Sequence, residues 1–137
     1  MSHSKPNIIK SILSAILALL VFGLTYILAK LIVVGIAFLL SCIPIIGTLI
    51  NSPDNILPDA LPAVVAYLLT VLLIEKCNKN PGTQALACSI TGMSIIVLHI
   101  LSLILNLRYN ESIWPNIIQG CAGIGLFSHG RSIKNKE

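Results

Sequence analysis

The sequence predicts an all-α integral membrane protein: a four-span helical bundle with an additional apolar segment, about residues 31–50, that does not span or re-enters. Three observations lead there. Of its 137 residues, 55% are hydrophobic and only 10% charged, with mean hydropathy +0.92, whereas a soluble domain carries about a quarter charged residues. A chain this short cannot hide so much aliphatic surface in one water-soluble core. The apolar residues also form long runs, separated by the polar breaks "NSPDNILPD", "EKCNKNPG" and "RYNES". The length allows a single domain, with spans at about 8–30, 59–75, 83–107 and 113–128.

The first span is bounded by lysines. Lys30 is the only charged residue between Lys10 and Asp54. At 1.5 Å per residue, Lys10 and Lys30 stand about 30 Å apart, the thickness of the hydrocarbon core. Each ammonium can then extend to headgroups, with Tyr26 one turn earlier as an interfacial aromatic. Although Lys5 and Lys10 precede an apolar run, that run is too long for a secretory h-region, so it reads as a retained anchor.

Segment 31–50 either extends the first helix at a tilt or dips into the membrane and returns. Within "CIPIIG", Pro44 removes a backbone donor and Gly47 permits a turn. A full crossing here would need a hairpin at "LAKL", which lacks Gly, Pro, Asn and Asp. It would also spread the basic residues more evenly across the two sides. Four spans instead place Lys5, Lys10, Lys76, Lys79, Arg131, Lys134 and Lys136 together, with Arg108 opposite and Lys30 at the far interface. By the positive-inside bias, both termini are then cytoplasmic in a cell membrane. Asp54 and Asp59 fall in the outer loop.

The remaining spans follow from their small and polar seams, because helices in lipid associate through such residues rather than through leucine. The seams run Ser11, Ser14, Ala18, Thr25 and Ala29 in the first span. They continue as Ala60, Ala63, Ala66, Tyr67 and Thr70 in the second. The third has Cys88, Gly92, His99, Ser102 and Asn106, and the last has Asn116, Gln119, Gly120, Gly123 and Gly125. Gly120 and Gly123 are expected to allow close helix approach. Trp114 reads as an interfacial anchor, and Pro115 as a first-turn residue behind a Ser112 cap.

Few residues offer chemistry. His99 is the only histidine inside a span, where an imidazole can relay a proton or bind an ion. Ser102 and Asn106 share its face and would extend a polar path outward, with Lys30 guarding the mouth of that path. The plainer reading makes His99 a packing residue hydrogen-bonded to a neighbouring helix and Lys30 an interfacial marker. No intramembrane carboxylate is apparent to partner the histidine.

Several classes are set aside. The four cysteines lack C-x-x-C spacing and a histidine pair, so no metal site is expected. "GCAGIG" lacks the strand and lysine of a phosphate loop. No nucleophile elbow, HExxH or dinucleotide fingerprint is present, so neither an enzyme nor a cofactor is expected. The lysines border apolar segments rather than forming a patch with aromatics, which argues against nucleic acid. Without an early intramembrane glutamate, the chain does not resemble the small multidrug transporters. The expected partners are the lipid bilayer and another membrane protein or a second copy. The expected role is structural, accessory or interacting, with a small oligomeric transporter or channel built on His99 as the alternative. Richness in Ile, Asn and Lys points to an AT-biased, bacterial genome.

Overall fold

The computed structural model describes residues 5–50, 52, 55–109 and 111–136. Asp54, assigned above to the outer loop, lies outside them. Five helices make up the fold: α1 (Ile8–Leu40), α2 (Pro44–Ile50), α3 (Leu57–Cys77), α4 (Pro81–Tyr109) and α5 (Trp114–Asn135). Among the described residues there is no strand.

The four long helices alternate in direction. Ser14 of α1 meets Asn78 just past α3, and Lys30 meets Asp59 at the start of α3. Gly130 of α5 packs on Ala85 near the start of α4, while Asn116 reaches His99 further along. Lys5 and Asn80 are hydrogen-bonded, so Lys5 and Pro6 sit beside the α3–α4 turn and the end of α5. We call this the terminal end of the bundle. The tightest pairings are α4 with α5 and α1 with α3.

Local chemistry sets the helix ends. The Asn7 side chain accepts from the Lys10 amide at 3.0 Å and caps α1. The Asn80 side chain accepts from the Thr83 amide at 3.1 Å, ahead of Pro81, whose missing N–H costs nothing in the first turn. Helix α3 also carries Pro58 in its first turn, and Asp59 there complements the positive end of the helix dipole. Pro62 lies inside α3 and is buried.

The core inverts that of a soluble protein. Ser11, Ser14, Ala18, Ala63, Ala66 and Thr70 are buried, as are Ala87, Cys88, Thr91 and Gly92. Large aliphatic side chains cover the outside of every long helix. Two buried threonine hydroxyls are satisfied within their own helices, with Thr70 donating to Ala66 O at 2.7 Å and Thr91 to Ala87 O at 2.8 Å. Three helices, α1, α3 and α4, are long and apolar enough to cross a membrane. At 22 residues α5 is long enough, but it is more polar than these three.

Several expectations need revision. Helix α1 passes through Lys30 unbroken and ends only at Leu40. Residues 31–40 therefore extend the first helix, and the chain bends at 41–43. The helical run is interrupted at 41–43, directly ahead of Pro44, which begins the seven-residue α2. Nor does Gly47 make a turn. A Cβ there would lie 2.8 Å from Ser41 O, so glycine lets α2 fold close against the end of α1.

Helix α3 starts at Leu57, which makes Asp59 helical rather than a loop residue. Helix α5 runs to Asn135, well past 128, and its N-cap is Ile113 without a side-chain hydrogen bond, not Ser112. Gly120 faces open space. The close approaches belong to Gly92, Gly123 and Gly130.

Candidate functional site

Polar side chains gather in two groups in the half of the bundle away from the termini. The first group joins α1, α3 and α5. Lys30 Nζ lies 2.7 Å from Asp59 Oδ1, and the Tyr26 hydroxyl donates to the same oxygen at 3.2 Å. The lysine also stands 5.8 Å from the Tyr26 ring centroid. Tyr26 and Lys30 are one turn apart on a single helix face, so both reach the first turn of α3. The Gln119 side chain lies beside the Tyr26 hydroxyl from the α5 side.

Tyr26 is thus turned inward and buried, not displayed at the membrane interface as its sequence position implied. The ion pair is half-sheltered, with side chains 38% (Lys30) and 17% (Asp59) exposed. Pairing offsets part of the cost of sheltering each charge from water.

The second group joins α4 and α5. His99 Nδ1 is 3.3 Å from Asn116 Oδ1. Asn116 is 7% exposed, and its Nδ2 is buried with no hydrogen-bond partner among the described residues. One half of this amide is therefore left unsatisfied, which costs roughly 1–3 kcal/mol in an apolar setting. Gln119 is one turn beyond Asn116 on α5, so the two groups share a helix face there.

The other residues of the expected path have separate duties. Asn106 Nδ2 donates to Ser112 O at 3.1 Å and ties the α4–α5 turn. Among the described residues no hydrogen bond joins His99 to Ser102 or Ser102 to Asn106. The structure brings Lys30 to Tyr26 and Asp59, and His99 to Asn116. It does not link Lys30, His99, Ser102 and Asn106 into one chain of contacts.

The terminal end has a polar cluster that spacing alone did not reveal. Asn78 is fully buried, and its Nδ2 donates to Ser14 Oγ at 3.0 Å and to Ile74 O at 2.9 Å. Ser11 Oγ approaches Thr83 O, and the Asn7 amide donates to Thr83 Oγ1 at 3.1 Å. These bonds fix the start of α1 to the α3–α4 turn. Glu75 and His129 pair at 3.3 Å on the outside.

Three cavities of about 410, 390 and 480 Å³ open on the surface. The first lies at the terminal end between α4 and α5. The second is apolar and lies between α3 and α5 near Trp114. The third is a shallow space between α1 and α4. Lys30, His99, Ser102 and Asn106 line none of the three.

No group of three metal-ligating side chains occurs among the described residues. Cys42, Cys77 and Cys121 are exposed free thiols, and Cys88 is buried. With this geometry in view, the chain matches no protein-family model, no curated protein and no solved structure, so its role is argued from its own residues.

Proposed function

We propose that this chain is a small multi-pass membrane protein with a structural or accessory role, acting by contact with another membrane protein or a second copy. In this reading α1, α3, α4 and α5 all cross the bilayer. Helix α3, 21 residues and about 32 Å long, matches the hydrocarbon thickness. The terminal end faces the cytoplasm because it collects Lys5, Lys10, Lys76, Lys79, Arg131, Lys134 and Lys136, against Lys30 and Arg108 at the other.

The observation that carries the interaction role is the far part of α1. From Lys30 to Leu40 the helix continues for about 15 Å. Leu31 (65%), Phe38 (72%) and Leu39 (70%) stay largely exposed there. An apolar helical stretch beyond the level of the ion pair is suited to a protein surface in or at the membrane. A photoreactive residue replacing Phe38 tests this in native membranes. The reading expects one protein adduct of discrete mass, absent when the probe replaces Leu98. Labelling of lipid alone from both positions would overturn it.

The alternative, a small oligomeric transporter or channel around His99, has one observation in its favour: the unsatisfied Asn116 Nδ2 beside that histidine. It predicts proton or solute flux in reconstituted vesicles that His99→Ala abolishes while the fold survives. The interaction reading predicts no flux above empty vesicles from the wild type.

A further inference from the structure

The cavity of about 410 Å³ at the terminal end combines two kinds of wall. Its floor is apolar, formed by Ala85 and Leu86 from the start of α4 and Phe127 from α5. Its rim carries three cations, Lys5, Arg131 and Lys134, drawn from the two ends of the chain, and no acidic side chain lines it.

The placement of these groups is built in. Gly130 seats α5 directly on α4: a Cβ there would lie 2.7 Å from Ala85 O and 2.8 Å from Ser89 Oγ. That contact fixes the next residue, Arg131, whose guanidinium stands 6.0 Å from the Phe127 ring centroid, within cation–π range. Lys134 lies one turn further on the same face. Lys5 is brought alongside by the bond from Asn80 to its carbonyl. Three like charges around one opening repel each other, which an anion at the centre relieves.

An apolar floor with a cationic rim, where helices meet the headgroup layer, is complementary to an amphiphile with a negative head. We infer that this cavity binds an anionic phospholipid of the surrounding leaflet. The phosphate sits among Lys5, Arg131 and Lys134, and the upper acyl chain lies along Leu86 and Phe127. Basic pockets between helices at the cytoplasmic face use the same electrostatics. A zwitterionic lipid gains less, because its own ammonium competes with the rim. The inference rests on the membrane reading above and adds a lipid preference to it.

The test uses the full chain in nanodiscs of phosphatidylcholine mixed with phosphatidylglycerol, with retained lipid counted by native mass spectrometry. Wild type should hold one phosphatidylglycerol in preference to phosphatidylcholine. Removing a cation should weaken retention about fivefold, and Arg131→Gln with Lys134→Gln about 25-fold. Lys10→Gln and Lys76→Gln, which remove charges at the same end outside the rim, should leave it unchanged.

A second arm needs no variant: raising the salt should release the lipid from wild type. Equal retention of both lipids, equal loss from the Lys10 and Lys76 variants, or displacement by inorganic phosphate alone would overturn the site. Insertion is read separately. Resistance to alkaline carbonate extraction without a lipid preference overturns the site only, whereas extraction by carbonate overturns the membrane reading as well.

Discussion

Replacing Gly92 by alanine should destabilise the bundle, whereas the same change at Gly120 should not. A Cβ at position 92 would meet Gly123 O and Phe127 N at 2.6 Å and Phe127 Cα at 3.0 Å. The shortest of these is about 0.8 Å inside the 3.4 Å at which ordinary contact begins. All three partners are backbone atoms, so no side chain can rotate away and α5 itself must move. A shift of that size thins the contact along the whole α4–α5 seam, including Gly123 on Ile95 and Gly130 on Ala85. A gap of 0.5–1 Å forfeits about a quarter to a half of each dispersion contact.

Overpacking typically costs about 1–3 kcal/mol, and backbone partners place Gly92→Ala near the top of that range. The better helix propensity of alanine offsets roughly 0.8–1 kcal/mol, leaving a net loss of about 2 kcal/mol. A Cβ at Gly120 meets nothing within 4 Å. Gly120→Ala should therefore gain about 0.5–1 kcal/mol from propensity alone. The assay is reversible unfolding in mixed micelles with increasing dodecyl sulfate, followed by circular dichroism and the fluorescence of Trp114. A separation of about 3 kcal/mol between the variants is expected. Equal stabilities, or a Gly120→Ala protein less stable than Gly92→Ala, would refute the packing argument.

Asp59→Asn should cost about 1–2 kcal/mol, since the Lys30–Asp59 pair is intermediate between exposed and buried. Exchanging the charges, Lys30→Asp with Asp59→Lys, should recover part of it in the same micelle titration, and an exchange as costly as the two single changes together would argue against a direct pair. Asn78→Leu should lose roughly 2 kcal/mol because the Ser14 hydroxyl forfeits its buried hydrogen-bond partner, while the Ile74 carbonyl keeps only the backbone amide of residue 78; a melting temperature unchanged from wild type would contradict this. Tags on both chain ends should be shielded from an impermeant reagent in intact cells and labelled after lysis. A reactive N-terminus with a shielded C-terminus would replace four spans by an odd number.

The inside-out core explains why the polar bonds weigh so heavily here. Leucine gains little by leaving lipid for protein, so specificity passes to close backbone approach and to hydrogen bonds. Helices α4 and α5 use the first through Gly92, Gly123 and Gly130. Helices α1 and α3 use the second at both ends, with Ser14 on Asn78 and Tyr26 with Lys30 on Asp59.

The helical class, the approximate place of the four long helices and most of the small-residue seams are legible from residue order alone. These are one-dimensional signals: apolar length against bilayer thickness, and small residues recurring at helical spacing. Ser11, Ser14, Ala18, Ala63, Ala66, Cys88, Gly92 and Gly123 are all buried as that spacing implied. The partners emerge from the packing of the helices. Asp59 reads as a loop acid because its helix begins three residues before the apolar run that opens at Ala60, which hid its match to Lys30. The sequence left extension of α1 beyond Lys30 open against a re-entrant segment, because a lysine with a carboxylate from another helix can stay within a helix where an unpaired one marks an edge. Gly120 and Gly123 look alike in sequence, and only the rotation of α5 against α4 separates the one that faces outward from the one in contact. Lys5 and Arg131 stand at opposite ends of the chain, and it is the alternation of helix direction that brings them to one cavity.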